Sequence, residues 1–94
     1  MDFEWDREKA VTNERRHGIS FEEAVTVFNG SLATSFPDPD HSADETRLIT
    51  FGYSSHDRLL VVSHTERGST LRIISARSAT TRERKRYEIQ NPRT

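Results

Sequence analysis

Apolar residues near the N-terminus recur at helical spacing, and those of the second half alternate. Phe21, Ala24, Val25 and Phe28 stand at i, i+3, i+4 and i+7, one face of a helix. Ser20 and Glu23, in an S-x-x-E pattern, form a capping box that opens this helix. Ile19 and Ala24 are its hydrophobic staple, and Asn29-Gly30 closes it. An earlier helix runs from the cap Asp6 to about Arg16. Trp5 and Ala10 occupy its staple positions, Glu8 and then Arg15 and Arg16 suit the two ends of its dipole, and Gly18 stops it. Both helices are short and need a sheet to pack on. Residues 1–5 alternate weakly and read as a short edge strand. Four more strands are expected at 32–36, 46–53, 58–65 and 70–77. The turns 54–57 and 66–69 are short enough to make the last three strands antiparallel neighbours, a meander. Leu71, Ile73 and Ile74 make 70–77 the most apolar of them and place it centrally. Residues 37–45 form a loop rich in Pro and Asp. Thr80 and Glu83 form a second capping box, opening a last helix to about Gln90 that Asn91-Pro92 ends. The order β-α-α-β-β-β-β-α predicts an α+β fold with helices against an antiparallel sheet.

The last helix changes this picture. Its large apolar residues are Tyr87 and Ile89, set among Arg82, Arg84, Lys85 and Arg86. A helix this polar is held loosely, or by a partner, or faces a polyanion. Composition points the same way. The 94 residues are 32% hydrophobic, and the mean hydropathy is −0.82. One small domain spanning 1–94 is expected, with a thin core that gains stability from a partner. There is no apolar run long enough to span a membrane and no secretory leader pattern, so a cytoplasmic location is expected. The absence of cysteine excludes a disulfide scaffold and cysteine-type zinc sites. The net charge of −1 hides a gradient. Residues 1–47 carry 11 acids and 5 bases, or −6; residues 48–94 carry 4 acids and 9 bases, or +5. Twelve of the 14 bases are arginine, the side chain suited to bidentate contact with phosphate or carboxylate.

No phosphate-binding glycine loop, nucleophile elbow or histidine metal motif occurs. The oxygens of residues 38–45 lack the glycine and spacing of an EF-hand loop, so neither metal nor cofactor is expected. What remains is a set of cations. Arg72 and Arg77 bracket one strand, Arg47 begins another, and Arg82, Arg84 and Arg86 lie on the last helix. In metal-free phosphodiester cleavage a base takes the ribose 2′-OH proton, cations stabilise the phosphorane, and an acid protonates the leaving 5′-oxygen. His17, His64, Glu83 and Tyr87 are the candidate acid–base groups. Each also has a structural explanation: His17 at a helix stop, His64 as a satisfied half-buried histidine, Glu83 as a cap, Tyr87 as its helix's anchor. Arg72 and Arg77 differ by five positions, so a regular strand points them to opposite faces. They serve one site only if a bulge or the strand end turns Arg77 round. Otherwise one of them pairs a carboxylate such as Glu45 or Glu83.

The stretch F-E-W-D-x-x-K-A-x-x-N at 3–13, followed by R-H-G-I-S-F-E-E-A at 16–24, resembles the BrnT family of type II toxins. So do E-T-R at 45–47, V-V-S-H-T at 61–65 and R-I-I-S-A-R-x-A-T-x-x-E-R-x-x-Y at 72–87. The resemblance implies a RelE/ParE-like fold, with two N-terminal helices packed on a small antiparallel sheet and a C-terminal helix. It implies an endoribonuclease that cleaves RNA and blocks translation without metal. It implies a BrnA-type ribbon-helix-helix antitoxin, with operator DNA bound only through the toxin–antitoxin complex. The catalytic positions carried over are Arg72, Arg77, Arg84, His17 and Tyr87, with Arg16, Arg47, Arg82 and Lys85 as RNA-binding residues. Arg16 departs from the lysine frequent in the family but keeps the charge. Two other classes remain open at this point: a ParE-like inhibitor of a protein target, and a catalytically inactive module that binds antitoxin only in operon repression.

Overall fold

Alternation in the second half of the chain becomes three long strands, and the computed structural model, which describes residues 1–39 and 47–92, sets them at the middle of a five-stranded sheet. The elements are β1 (Asp2–Glu4), α1 (Arg7–His17), α2 (Phe21–Thr26) with a 3₁₀ turn (Val27–Asn29), β2 (Thr34–Pro37), β3 (Arg47–Tyr53), β4 (Leu59–Arg67), β5 (Thr70–Ser78) and α3 (Thr81–Gln90). The spatial order is β1-β5-β4-β3-β2. Strands β2 to β5 pair antiparallel as the meander requires, but β1 pairs parallel with β5. The expected antiparallel sheet is therefore mixed. The cause is chain direction: β1 enters beside β5, and the helices carry the chain away across one face before the meander begins.

β5 is an interior strand, as its apolar residues suggested, between β1 and the middle strand β4. β1 reaches only Thr70, Leu71 and Arg72, so among the described residues no strand lies beyond the later half of β5. An asparagine side chain serves there instead. Asn13 of α1 donates from Nδ2 to the Ala76 carbonyl at 2.8 Å and to the Ile19 carbonyl at 3.0 Å, and its Oδ1 accepts the Ala76 N–H at 3.1 Å. Its carboxamide thus satisfies two backbone groups that a neighbouring strand would otherwise have to meet.

The core lies between the helices and one face of the sheet. Ile19, Phe21, Ala24 and Val27 pack on Leu60, Val62, Leu71, Ile73 and Ala76. Trp5 meets Phe21 edge-on, and Phe3 meets Phe28. Gly52 belongs to this face, where an added Cβ would stand 2.7 Å from Val27 Cγ1, so the close approach of the 3₁₀ turn requires glycine. The local signals mostly hold. Asp6 caps α1 by accepting the Lys9 N–H, and Gly18 ends it in the left-handed conformation at φ 72°. Gly68, at φ 60°, opens the two-residue turn between β4 and β5. One signal holds by half. Ser20 accepts the Glu23 N–H, but the Glu23 carboxylate turns to the β3–β4 turn, where it accepts from Ser54 Oγ at 2.6 Å and from Arg58 Nε at 3.0 Å. Arg58 and Ser54 hold that buried carboxyl below its usual range. No described helix is long and apolar enough to cross a membrane.

Candidate functional site

The sheet face turned away from α1 and α2 presents its side chains in rows set by the register. One row runs Arg47, Thr65, Arg72, Glu4 across β3, β4, β5 and β1. The next is Ile49, Ser63, Ser75, and the third is Phe51, Val61, Arg77. The third row exists because of one extra residue. Ser75 pairs with Ser63 while Ile73 pairs with His64, which leaves Ile74 as a bulge on β5. Three-residue spacing then puts Ile73 and Ala76 together in the core, and five-residue spacing puts Arg72 and Arg77 together on the other face. Strand geometry places the Arg47 and Arg72 backbones about 10 Å apart, and the Arg72 and Arg77 rows about 13 Å apart. Ser63 and Ser75 lie between those two rows.

The two β5 arginines are held differently. Arg72 Nη1 stands 3.5 Å from Glu4 Oε1, with both side chains well exposed, a loose pair. Arg77 donates from Nη1 and Nη2 to the two oxygens of Glu83 at 2.8 and 3.0 Å, a bidentate fork. Glu83 also accepts the Thr80 N–H and completes the capping box of α3. The Arg77 guanidinium brings the Glu83 carboxyl down to about 2. A carboxylate so acidic is a poor proton acceptor at neutral pH, and its evident work is to aim Arg77 and seat α3.

The other candidates separate. His64 is fully buried on the helix side, bonded through Nε2 to Thr50 Oγ1 at 2.6 Å and met edge-on by Phe28. Burial lowers its pKa to about 4, so it is neutral and removed from the cationic face. The expected half-buried histidine is a core residue. Tyr87 is 5% exposed; its phenol donates to the Leu32 carbonyl, and its ring packs on Tyr53 at 5.9 Å. With its proton committed to a backbone oxygen, it serves as the anchor of α3. His17 and Arg16 lie in the exposed last turn of α1. They line a groove of about 380 Å³ at the β5 edge, together with Ile74 and Ser75 of the bulge. Ser75 thus belongs to both the groove and the cationic face. On α3, Glu83 and Tyr87 face the sheet, so at about 100° per residue Lys85 points away while Arg82 and Arg84 flank opposite sides. All three are exposed. Glu45 and the remaining oxygens at 40–44 lie outside the described residues. Among the described residues no three His, Asp or Glu side chains gather as a metal ligand set.

Sequence reasoning left Asn13 without a role, although it ends the W-D-x-x-K-A-x-x-N stretch. A polar side chain at a helix position facing the core was the signal available. It also passed over Phe36, which is apolar yet exposed on the cationic face.

The sequence matches a family model described as the ribonuclease toxin, BrnT, of type II toxin-antitoxin system, over residues 5–83. That span holds Arg72 and Arg77 and stops before Arg84 and Tyr87. Comparison with curated proteins finds no match. Among solved structures, the chain is similar to the Brucella abortus ribonuclease toxin BrnT, with 31% identity and a TM-score of 0.68, covering 86% of this chain and 99% of that one. With most of its length under the family model and its fold matched by a solved member, this chain belongs to the BrnT family of ribonuclease toxins of type II toxin–antitoxin systems.

Proposed function

We propose that this chain cleaves RNA on the cationic sheet face by internal transesterification, without metal, and thereby blocks translation. The 2′-oxygen attacks the adjacent phosphorus, the bond to the 5′-oxygen breaks, and a cyclic phosphate and a free 5′-hydroxyl result. Arg72 and Arg77 stabilise the charge that grows on the phosphoryl oxygens. Arg47, in the row of Arg72, and Arg84, exposed on α3, add further positive charge. His17, exposed and sharing the groove with Ile74 of the bulge, is the general acid–base candidate. Arg16, Arg82 and Lys85 add sequence-independent attraction for the RNA backbone. Tyr87 acts by seating α3 and, through Glu83, the Arg77 fork. The observation that carries this reading is the Ile74 bulge, which turns Arg72 and Arg77 to one face. The reading extends to a RelE/ParE-like architecture over residues 1–94 and to action in the cytoplasm.

Membership in a type II toxin family implies an antitoxin partner. The cation-rich face suits an acidic or amphipathic segment of a BrnA-like ribbon-helix-helix protein, with operator DNA bound only through the complex. The purified chain is expected to cleave RNA in EDTA, and Arg77→Ala to lose about 100- to 1,000-fold in rate. No cleavage by the wild-type chain, with or without added divalent metal, would sink the ribonuclease reading.

A further inference from the structure

Beside the cations, the same face carries an apolar patch. Phe36 is 44% exposed, and its ring meets Phe51 edge to face with centroids 6.0 Å apart. These rings and Tyr87 wall a groove of about 260 Å³ between β2 and α3, with Arg86 and Gln90 among its lining residues. An edge-strand phenylalanine so exposed adds little to the core, so the fold by itself gives no reason for an aromatic there. The groove opens next to the arginines, because Phe51 shares a row with Val61 and Arg77. Two strand spacings, about 10 Å, separate that ring's backbone from Arg77.

We propose that this groove is a nucleobase subsite for single-stranded RNA. One unpaired base stacks on Phe36 while an adjoining phosphate is held on the arginine rows. Stacking on an exposed ring beside cations is the common way to hold unpaired bases, since every base has a π-face. Glu83 also lines the groove, but its two oxygens are taken by Arg77 and the Thr80 N–H. Of the remaining polar groups Gln90 both donates and accepts and Arg86 only donates, so the base edge that fits is rich in acceptors. The charge of the surroundings favours a polyanion over an apolar peptide as occupant. The inference rests on the ribonuclease reading above.

The test uses a 2′-O-methyl oligoribonucleotide, which lacks the attacking hydroxyl, with 2-aminopurine scanned along it. Stacking quenches that fluorophore. Wild type is expected to bind and quench at one position. Phe36→Ala is expected to weaken binding about 5- to 100-fold, abolish the quench, and raise KM for a cleavable RNA far more than it lowers kcat. Phe36→Tyr restores both signals, which a purely structural role would not explain if the two variants melt alike. If wild type cleaves RNA and Phe36→Ala binds, quenches and cleaves as it does, the subsite is overturned and the ribonuclease reading stands. If Phe36→Ala changes only antitoxin capture, the groove is a protein interface and the proposal is again overturned. If wild type neither binds nor cleaves RNA, both readings fail together.

Discussion

The two faces of the sheet are built from the same strands and do opposite work. The covered face buries Leu60, Val62, Leu71, Ile73 and Ala76 against α1 and α2; of its polar members, Thr50 bonds His64 Nε2, while the buried His64 Nδ1 has no hydrogen-bond partner among the described residues. The far face carries Arg47, Arg72 and Arg77 with Ser63 and Ser75 between, and α3, tethered through Glu83 and Tyr87, rests beside them. Side-chain alternation assigns each residue to a face, and one bulged residue corrects the assignment where strict alternation would have separated the arginines. With part of the far face given to charge, the apolar core lies mainly on the covered side. Stability is therefore expected to depend on covered-face residues, and cleavage on far-face residues, with little overlap.

The largest effect that sharpens this contrast is on rate. Arg72→Ala and Arg77→Ala are each expected to lower single-turnover RNA cleavage about 100- to 1,000-fold, while Arg72→Ala shifts stability by less than about 0.5 kcal/mol because its pair with Glu4 is exposed. The next is a pH effect on the covered face. His64 has a folded pKa near 4, below its ordinary 6.5, so the unfolded chain binds its proton first. That stability is complete above pH 6.5 and is lost as pH falls toward 4, by at most about 3 kcal/mol. Urea unfolding across this range should show the decline in wild type and a flatter profile in His64→Leu. The loss tied to Glu83 begins lower, from about 4.5 down to about 2. A smaller cost, about 2 kcal/mol, is expected for Asn13→Ala, which strands the Ala76 backbone groups, and chemical denaturation measures it. The smallest is Lys85→Ala, on the side of α3 away from the sheet. It should alter cleavage less than about threefold, with a slightly shallower salt dependence of RNA binding.

The element boundaries were legible because capping residues and alternation are local signals. Asp6, Gly18, Thr80 and Gly68 act within a few residues of themselves, and their roles follow from chain chemistry alone. The pairing of β1 with β5 was not legible, because nothing in residues 1–5 encodes a partner some 70 residues away, and parallel direction depends on where the helices return the chain. The bulge was legible only as a condition: the five-residue spacing of Arg72 and Arg77 demanded one, but no glycine marked Ile74 as its place. His64 shows the limit of parity, since alternation put it beside Leu60 and Val62 without revealing that Phe28 seals it from solvent. Glu23 shows a local signal overruled, because a nearby guanidinium on Arg58 competes for the carboxylate that a capping box would use.

The separation of the two faces is tested most directly by one paired measurement: single-turnover cleavage of a defined RNA in EDTA at pH 7, with a denaturation midpoint for each protein, across wild type, Arg72→Ala and His64→Leu. The account predicts that Arg72→Ala keeps its midpoint and loses at least about 100-fold in rate, whereas His64→Leu, while folded, cleaves within a few-fold of wild type. A folded Arg72→Ala that cleaves at the wild-type rate would contradict it.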